Sequence, residues 1–162
     1  MELQTLRDAE RYLDGLINRE KKTQYDYERL GLAPIRALLA AIGNPERGLR
    51  CLHVAGSKGK GTVTLVAEHL LRAAGKSVGA YTSPHLAWFH ERIRLVGELI
   101  SEPALTALLD ECVTANGEEA ITFFEITTAA ALLAFAETPP DAVILEVGFG
   151  GRLDATNVIA RP

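Results

Sequence analysis

Cysteine is scarce in this sequence: Cys51 and Cys112 stand far apart and in no C-x-x-C or Cys/His grouping. That excludes a disulfide framework and leaves no pattern for a zinc site. Both thiols are expected to be buried. Long apolar runs are missing as well, and the N-terminal "MELQTLRDAERYLDGL" is charged throughout, so neither a membrane-spanning helix nor a secretory signal is read. Nor is there an excess of positive charge. Seventeen Lys and Arg stand against 21 Asp and Glu, a net charge of -4, which gives no electrostatic basis for nucleic acid or an anionic membrane as the main partner. Internal repeats and low-complexity segments are also absent. What is left, 48% hydrophobic and 23% charged, is the composition of a globular protein expected in the cytoplasm. Its 162 residues suffice for one domain with its own core, and not for two.

Apolar periodicity divides the chain into alternating helices and strands. Leu3, Leu6, Tyr12, Leu13, Leu16 and Ile17 recur at helical spacing and predict an amphipathic first helix, interrupted by the polar "NREKKTQYDYERLG". Ile35, Leu38, Leu39 and Ile42 follow Pro34 and stop at "GNP", the signature of a short helix with proline at its start and glycine just past its end. "CLHVA", "SVGAYT" and "DAVILEVG" read as strands, the last buried on both faces, and "ERIRLVG" as a further extended piece. "TVTLVAEHLLRAAG", "EPALTALLDECVTANG" and "FFEITTAAALLAFAET" read as helices. This alternation predicts an α/β architecture, a mostly parallel sheet flanked by helices. Three core strands are few for an open sheet. The sequence reaches "NVIARP" soon after a glycine-rich loop, so the expectation is an N-terminal piece of a longer protein.

Two loops carry chemistry. Between strand "CLHVA" and the next helix lies "GSKGKGT", with Gly56, Ser57, Lys58, Gly59, Lys60, Gly61 and Thr62. A glycine-rich turn at a helix N-terminus aims unpaired N–H groups at one spot and adds positive potential there, which suits phosphate. The pattern departs from G-x-x-x-x-G-K-[ST] because Gly61 separates Lys60 from the hydroxyl of Thr62. The spacing still lets the lysine reach a β/γ-phosphate and the threonine a Mg²⁺ ion. The plainer reading is a tight turn with solvated lysines, and the independently read strand and helix on either side favour the phosphate loop. The second loop is "ILEVGFGGRLDATN". Glu146 ends a buried strand, where open α/β sheets bind ligands, and a charge directly after "AVIL" needs a cation or a donor partner.

With both loops in view, the chain resembles the folylpolyglutamate synthase/dihydrofolate synthase family, a branch of the Mur ligase superfamily. "HVAGSKGKGT", "YTSPHLAWFHERIRLVGELIS", "TFFEITTAAALLAF" and "LEVGFGGRLDATNVI" carry the resemblance in order and spacing, from near residue 1 to the end. It implies a P-loop NTPase-like fold, residues 1–162 being the N-terminal part of the ATP-binding domain without the C-terminal ligase domain. It also implies an ATP- and Mg²⁺-dependent ligase that adds L-glutamate to dihydropteroate or reduced folates through an acyl phosphate, working as a monomer at full length. Such an enzyme belongs to folate metabolism, and this piece alone is expected to be inactive.

Position by position, the resemblance makes Gly59, Lys60, Gly61 and Thr62 the holders of the ATP phosphates, and Ser83 and Glu146 the magnesium ligands, with Thr62 nearby. Ser83, Pro84, His85 and Arg92 match a mobile loop bordering the pterin pocket, Thr122, Phe123, Phe124 and Glu125 a pterin-binding segment, and Arg152 and Asp154 the loop after the magnesium carboxylate. The residues themselves leave two readings of Phe123 and Phe124, core packing or a border for a flat heterocycle. A satisfied or surface role is the plainer reading of His85 and His90, and Trp88 is either a lid contact or half-buried. Lys58 stands where the family has asparagine. A Mur ligase acting on a cell-wall precursor, against which the "SPHL" and "TFFE" segments argue, and a non-catalytic nucleotide-binding module are the alternatives.

Overall fold

The structure is a computed structural model and describes residues 3–18 and 31–162. The polar stretch read between the first two helices lies mostly outside them, at 19–30. The first helix, α1 (Leu6–Asp14), is shorter than its apolar periodicity suggests. Thr5 and Asp8 close a capping box at its start and Gly15 follows its end, while Ile17 leaves the helix for a parallel bridge to Thr122. Pro34 sits in the first turn of α2 (Ala33–Ala41), where a missing N–H is harmless.

Three neighbouring strands run parallel: β1 (Cys51–Val54), β5 (Ala142–Glu146) and β2 (Val78–Tyr81). The order across the sheet is β1-β5-β2-β3-β4, with β3 (Ile93–Leu95) and β4 (Glu98–Leu99) at one end. The extended piece after "SPHL" is only partly strand. Phe89–Arg92 is a 3₁₀ turn, and β3 (Ile93–Leu95) then pairs antiparallel with β2. A two-residue turn at Val96 and Gly97, both at positive φ, returns the chain as β4 (Glu98–Leu99), which the sequence reading did not foresee. The sheet is thus parallel from the β1 edge to β2 and antiparallel from β2 to the β4 edge.

Helices cover the two faces unequally. On one face, α4 (Glu102–Asn116) and α5 (Phe123–Glu137) pack with α1 and α2 over Cys51, Tyr81, Val143 and Leu145. Helix α5 is apolar nearly all round and buried from Phe123 to Phe135 except at half-buried Phe124, as a central helix must be. Among the described residues the other face carries α3 (Lys60–Ala73) alone, with Thr64 and Glu68 inward. Glu68 is fully buried and accepts from Arg94 Nε at 3.0 and 3.2 Å, while Arg94 Nη2 donates to the Gly97 carbonyl. That pairing ties α3 to the edge hairpin and satisfies a charge that burial would otherwise penalise heavily. Cys51 and Cys112 are both buried, and burial pushes their thiols up to about 11 and about 12. Among the described residues no helix is long and apolar enough to cross a membrane.

Candidate functional site

Parallel pairing decides what meets what at the end of the sheet. Val54 lies opposite Glu146, so the loop leaving β1 and the loop leaving β5 emerge side by side, and β2 delivers Thr82 and Ser83 to the same edge. Helix α3 begins at Lys60, earlier than the apolar periodicity indicates, so Lys60, Gly61 and Thr62 are its first turn. Its N-cap, Gly59, is left-handed at φ 75° and supplies no side-chain cap. The helix therefore opens with a positive dipole end and N–H groups that no side-chain cap takes up, that of Gly61 being turned to Glu146. Gly56, Ser57, Lys58 and Gly59 are exposed in the turn before it, and Lys60 Nζ folds back to the Gly56 carbonyl at 3.3 Å.

Glu146 is the buried member of this group, 4% exposed. Its Oε2 accepts the Ser83 N–H at 3.1 Å, and Gly61 approaches so closely that a Cβ there would lie 3.5 Å from the same oxygen. Burial pushes the Glu146 carboxyl above its usual value, opposed by the Ser83 N–H, the Lys60 charge, the Gly61 N–H and the Arg92 charge. Lys60, Gly61, Ser83 and Glu146 are thereby brought together. Among the described residues no cluster of three or more His, Cys, Asp or Glu forms a metal site. One carboxylate with the hydroxyls of Thr62 and Ser83 is an all-oxygen set, of the kind that suits Mg²⁺, which keeps several waters and binds substrate phosphates.

A second group lies beyond Ser83. The loop from 82 to 92 is closed by the Thr82 N–H on the Arg92 carbonyl at 2.9 Å. Arg92, only 2% exposed, donates from Nε to His85 Nδ1 at 2.9 Å and sits 5.0 Å from the Phe123 ring centroid and 5.7 Å from that of Phe89. Pro84 is exposed. Phe123 is thus a core residue beside a buried cation. Phe124 instead overhangs the loop after β5, since a Cβ on Gly148 would come within 2.5 Å of its ring, and it lies 5.9 Å from the Tyr81 ring. Thr122 and Glu125 are joined to each other: the Thr122 N–H and hydroxyl donate to Glu125 Oε2 at 2.8 and 2.7 Å, and the Glu125 N–H donates back. That is the capping box of α5.

The two candidates beyond Glu146 part company. Arg152 is exposed, whereas Asp154 is buried, accepting from the Phe149 N–H at 2.8 Å and from the Thr156 N–H at 3.0 Å and hydroxyl at 2.5 Å. Thr156 in turn meets His53 Nε2 at 2.7 Å. The reading of the sequence missed both His53 and Thr156. "DAT" carries the signal of an Asx turn, but nothing local marks His53, whose partner is 103 residues away.

A strand, a glycine loop, a helix and an acidic strand end beside that helix define a phosphate-loop-type α/β unit. No family model matches the chain. The dihydrofolate synthase/folylpolyglutamate synthase of Escherichia coli (strain K12) is 44% identical over 130 residues, 80% of this chain and 31% of that protein. The structure of Escherichia coli FolC in complex with DHPP and ADP superposes with a TM-score of 0.87 at 39% identity over 99% of this chain and 37% of that one. A bifunctional folylpolyglutamate synthase/dihydrofolate synthase with Mn, AMPPNP and L-glutamate bound gives 0.88 at 34% identity, over 99% and 37%. The chain belongs to the folylpolyglutamate synthase/dihydrofolate synthase family and spans about a third of the length of the curated relatives it matches.

Proposed function

We propose that residues 1–162 are the N-terminal part of the ATP-binding domain of a ligase that joins L-glutamate to the carboxylate of dihydropteroate or a reduced folate. One observation carries this reading: Glu146 ends β5 against the first turn of α3, held by the Ser83 and Gly61 amides beside Lys60. ADP, AMPPNP, Mn, DHPP and L-glutamate in related structures support it.

In this reading the amides from Gly56 to Gly61 and the α3 dipole hold the ATP phosphates, and Lys60 exchanges the Gly56 carbonyl for a phosphate oxygen. Thr62, Ser83 and Glu146 hold Mg²⁺, which neutralises charge on the phosphates when bound. A carboxylate oxygen of the pterin-bearing acid attacks the γ-phosphorus as the bond to ADP breaks, giving an acyl phosphate. The amine of glutamate then attacks the acyl carbon, phosphate leaves and the nitrogen loses a proton, so an otherwise unreactive carboxylate becomes an amide. Positioning and charge neutralisation suffice, with no protein nucleophile. Phe124, with Gly148 beneath it, offers a flat apolar wall for the pterin, and His85 and Arg92 brace the loop beside it. The rest of the family's length supplies the ligase domain, and the whole enzyme works as a monomer.

The test is phosphate release from MgATP by the natural gene product with glutamate and, in turn, dihydropteroate, a reduced folate and a cell-wall precursor. Release is expected only with a pterin acid, and Lys60→Ala is expected to lower it on the order of a hundredfold or more. Release with none of the three overturns the ligase reading.

A further inference from the structure

One chain of hydrogen bonds links the strand before the phosphate loop to the loop after Glu146. Both oxygens of Asp154 accept N–H bonds, Oδ2 from Phe149 and Oδ1 from Thr156, the pattern of an ionised, acceptor-only carboxylate. The Thr156 hydroxyl has one proton to give, and Asp154 Oδ1 takes it at 2.5 Å. A lone pair of Thr156 is then what faces His53 Nε2 at 2.7 Å, so His53 is the donor. Burial lowers the His53 pKa against an upward pull from Asp154, and the geometry at Thr156 puts a ring proton on Nε2. The order is therefore His53 Nε2–H to Thr156, Thr156 O–H to Asp154, and Asp154 to the Phe149 amide.

What this chain restrains borders both halves of the site. Phe149 follows Gly148, which lies two residues beyond Glu146 and directly under Phe124. Local bonds complete the turn: the Gly151 N–H donates to the Phe149 carbonyl at 2.9 Å and the Asp154 N–H to the Gly151 carbonyl at 3.0 Å. His53 itself is half-buried on β1, three residues before Gly56, in register with Leu145. An anchor on a strand of the sheet is more rigid than one on a loop.

We propose that His53 is a positioning residue for the ligase: through Thr156 and Asp154 it holds the turn from Gly148 to Gly151 where the pterin-bearing substrate meets Phe124. This rests on the ligase reading above. It assigns His53 no contact with substrate, so its removal acts on substrate binding only through the turn.

The test uses the natural gene product with MgATP, L-glutamate and the pterin acid it accepts. His53→Phe keeps a ring and drops the donor; Thr156→Val keeps the shape and drops the hydroxyl. His53→Phe is expected to raise KM for the pterin acid about fivefold, the size of one lost neutral hydrogen bond, and Thr156→Val by at least as much because it also loses the bond to the Asp154 carboxylate, with KM for MgATP changed less than about twofold in each. Because the bonds form one relay, the double variant is expected to be no worse than Thr156→Val alone. His53→Gln and Thr156→Ser, which restore a donor and a hydroxyl, return KM to near wild type. An unchanged KM in both single variants, an equal shift in both substrates, or failure of both restoring variants overturns the proposal. If the wild type turns over no pterin acid, the ligase reading fails, and amide hydrogen exchange over residues 147–157 decides the relay without substrate. Faster exchange in His53→Phe that His53→Gln reverses supports it, and equal exchange in all three overturns it.

Discussion

Glu91 and Glu146 are both carboxylates near the head of a turn, and their surroundings divide their roles. Glu146 is buried and held above its usual value by that burial. Glu91 is half-buried and gathers the N–H groups of Leu86, Ala87 and Trp88 at 2.8 to 3.3 Å, and those bonds hold its carboxyl below the ordinary 4.5. The stabilisation from such a depressed acid is complete above 4.5 and is lost as pH falls through the lower folded value. Trp88, the one tryptophan of the chain, lies stacked on His90 beside these amides. Its fluorescence is therefore expected to change below about pH 4.5. Glu91→Gln should show the acid spectrum already at neutral pH, and a pH-independent Trp88 signal in the wild type would show that the carboxylate does not hold this loop.

Among the elements, two backbone positions set opposite expectations for stability. Val96, at the first position of the turn between β3 and β4, has φ 52°, a left-handed conformation that a β-branched residue adopts only under strain. Val96→Asn suits a turn with both central residues at positive φ and is expected to raise stability by about 1 kcal/mol, read as a higher urea midpoint at unchanged slope. Gly79 lies in the middle of β2 with the Phe135 ring of α5 against it, and a Cβ would come within 2.6 Å of that ring. Both residues are buried, so neither can move into solvent. Gly79→Ala is expected to lower stability by about 1–3 kcal/mol through overpacking, and a midpoint equal to wild type would mean that α5 shifts freely on the sheet.

Over the whole molecule, the uneven covering of the sheet leaves a surface unlike the rest. Helix α3 turns Val63, Val66 and Leu70 outward, Leu70 being 66% exposed, and Leu52 of β1 is 47% exposed. Among the described residues β1 is also an edge strand, with backbone groups that can pair with another strand. Contiguous apolar surface next to an open edge favours association. A chain of these 162 residues is expected to self-associate at micromolar concentration in sedimentation velocity, and Leu70→Glu to shift it toward monomer without lowering its melting temperature. A monomer at all concentrations would show that the exposed stripe is tolerated as it stands.

The sequence alone determined the alternation of strands and helices, the phosphate loop and the acidic strand end, because each is encoded by neighbours: apolar periodicity, glycines at a helix start, a charge closing an apolar run. "GSKGKGT" and "ILEVG" were legible for that reason. Element ends were less so, since α1 stops where Gly15 and Ile17 serve the rest of the fold, and "GELI" gained a strand only by pairing with β3. Tertiary structure alone decided that Glu146 meets Gly61 and Ser83, that Arg92 lies buried beside Phe123, and that His53 reaches Asp154 through Thr156. Those contacts join residues up to 103 positions apart, and the parallel register of β1, β5 and β2, which no local pattern states, is what sets them side by side.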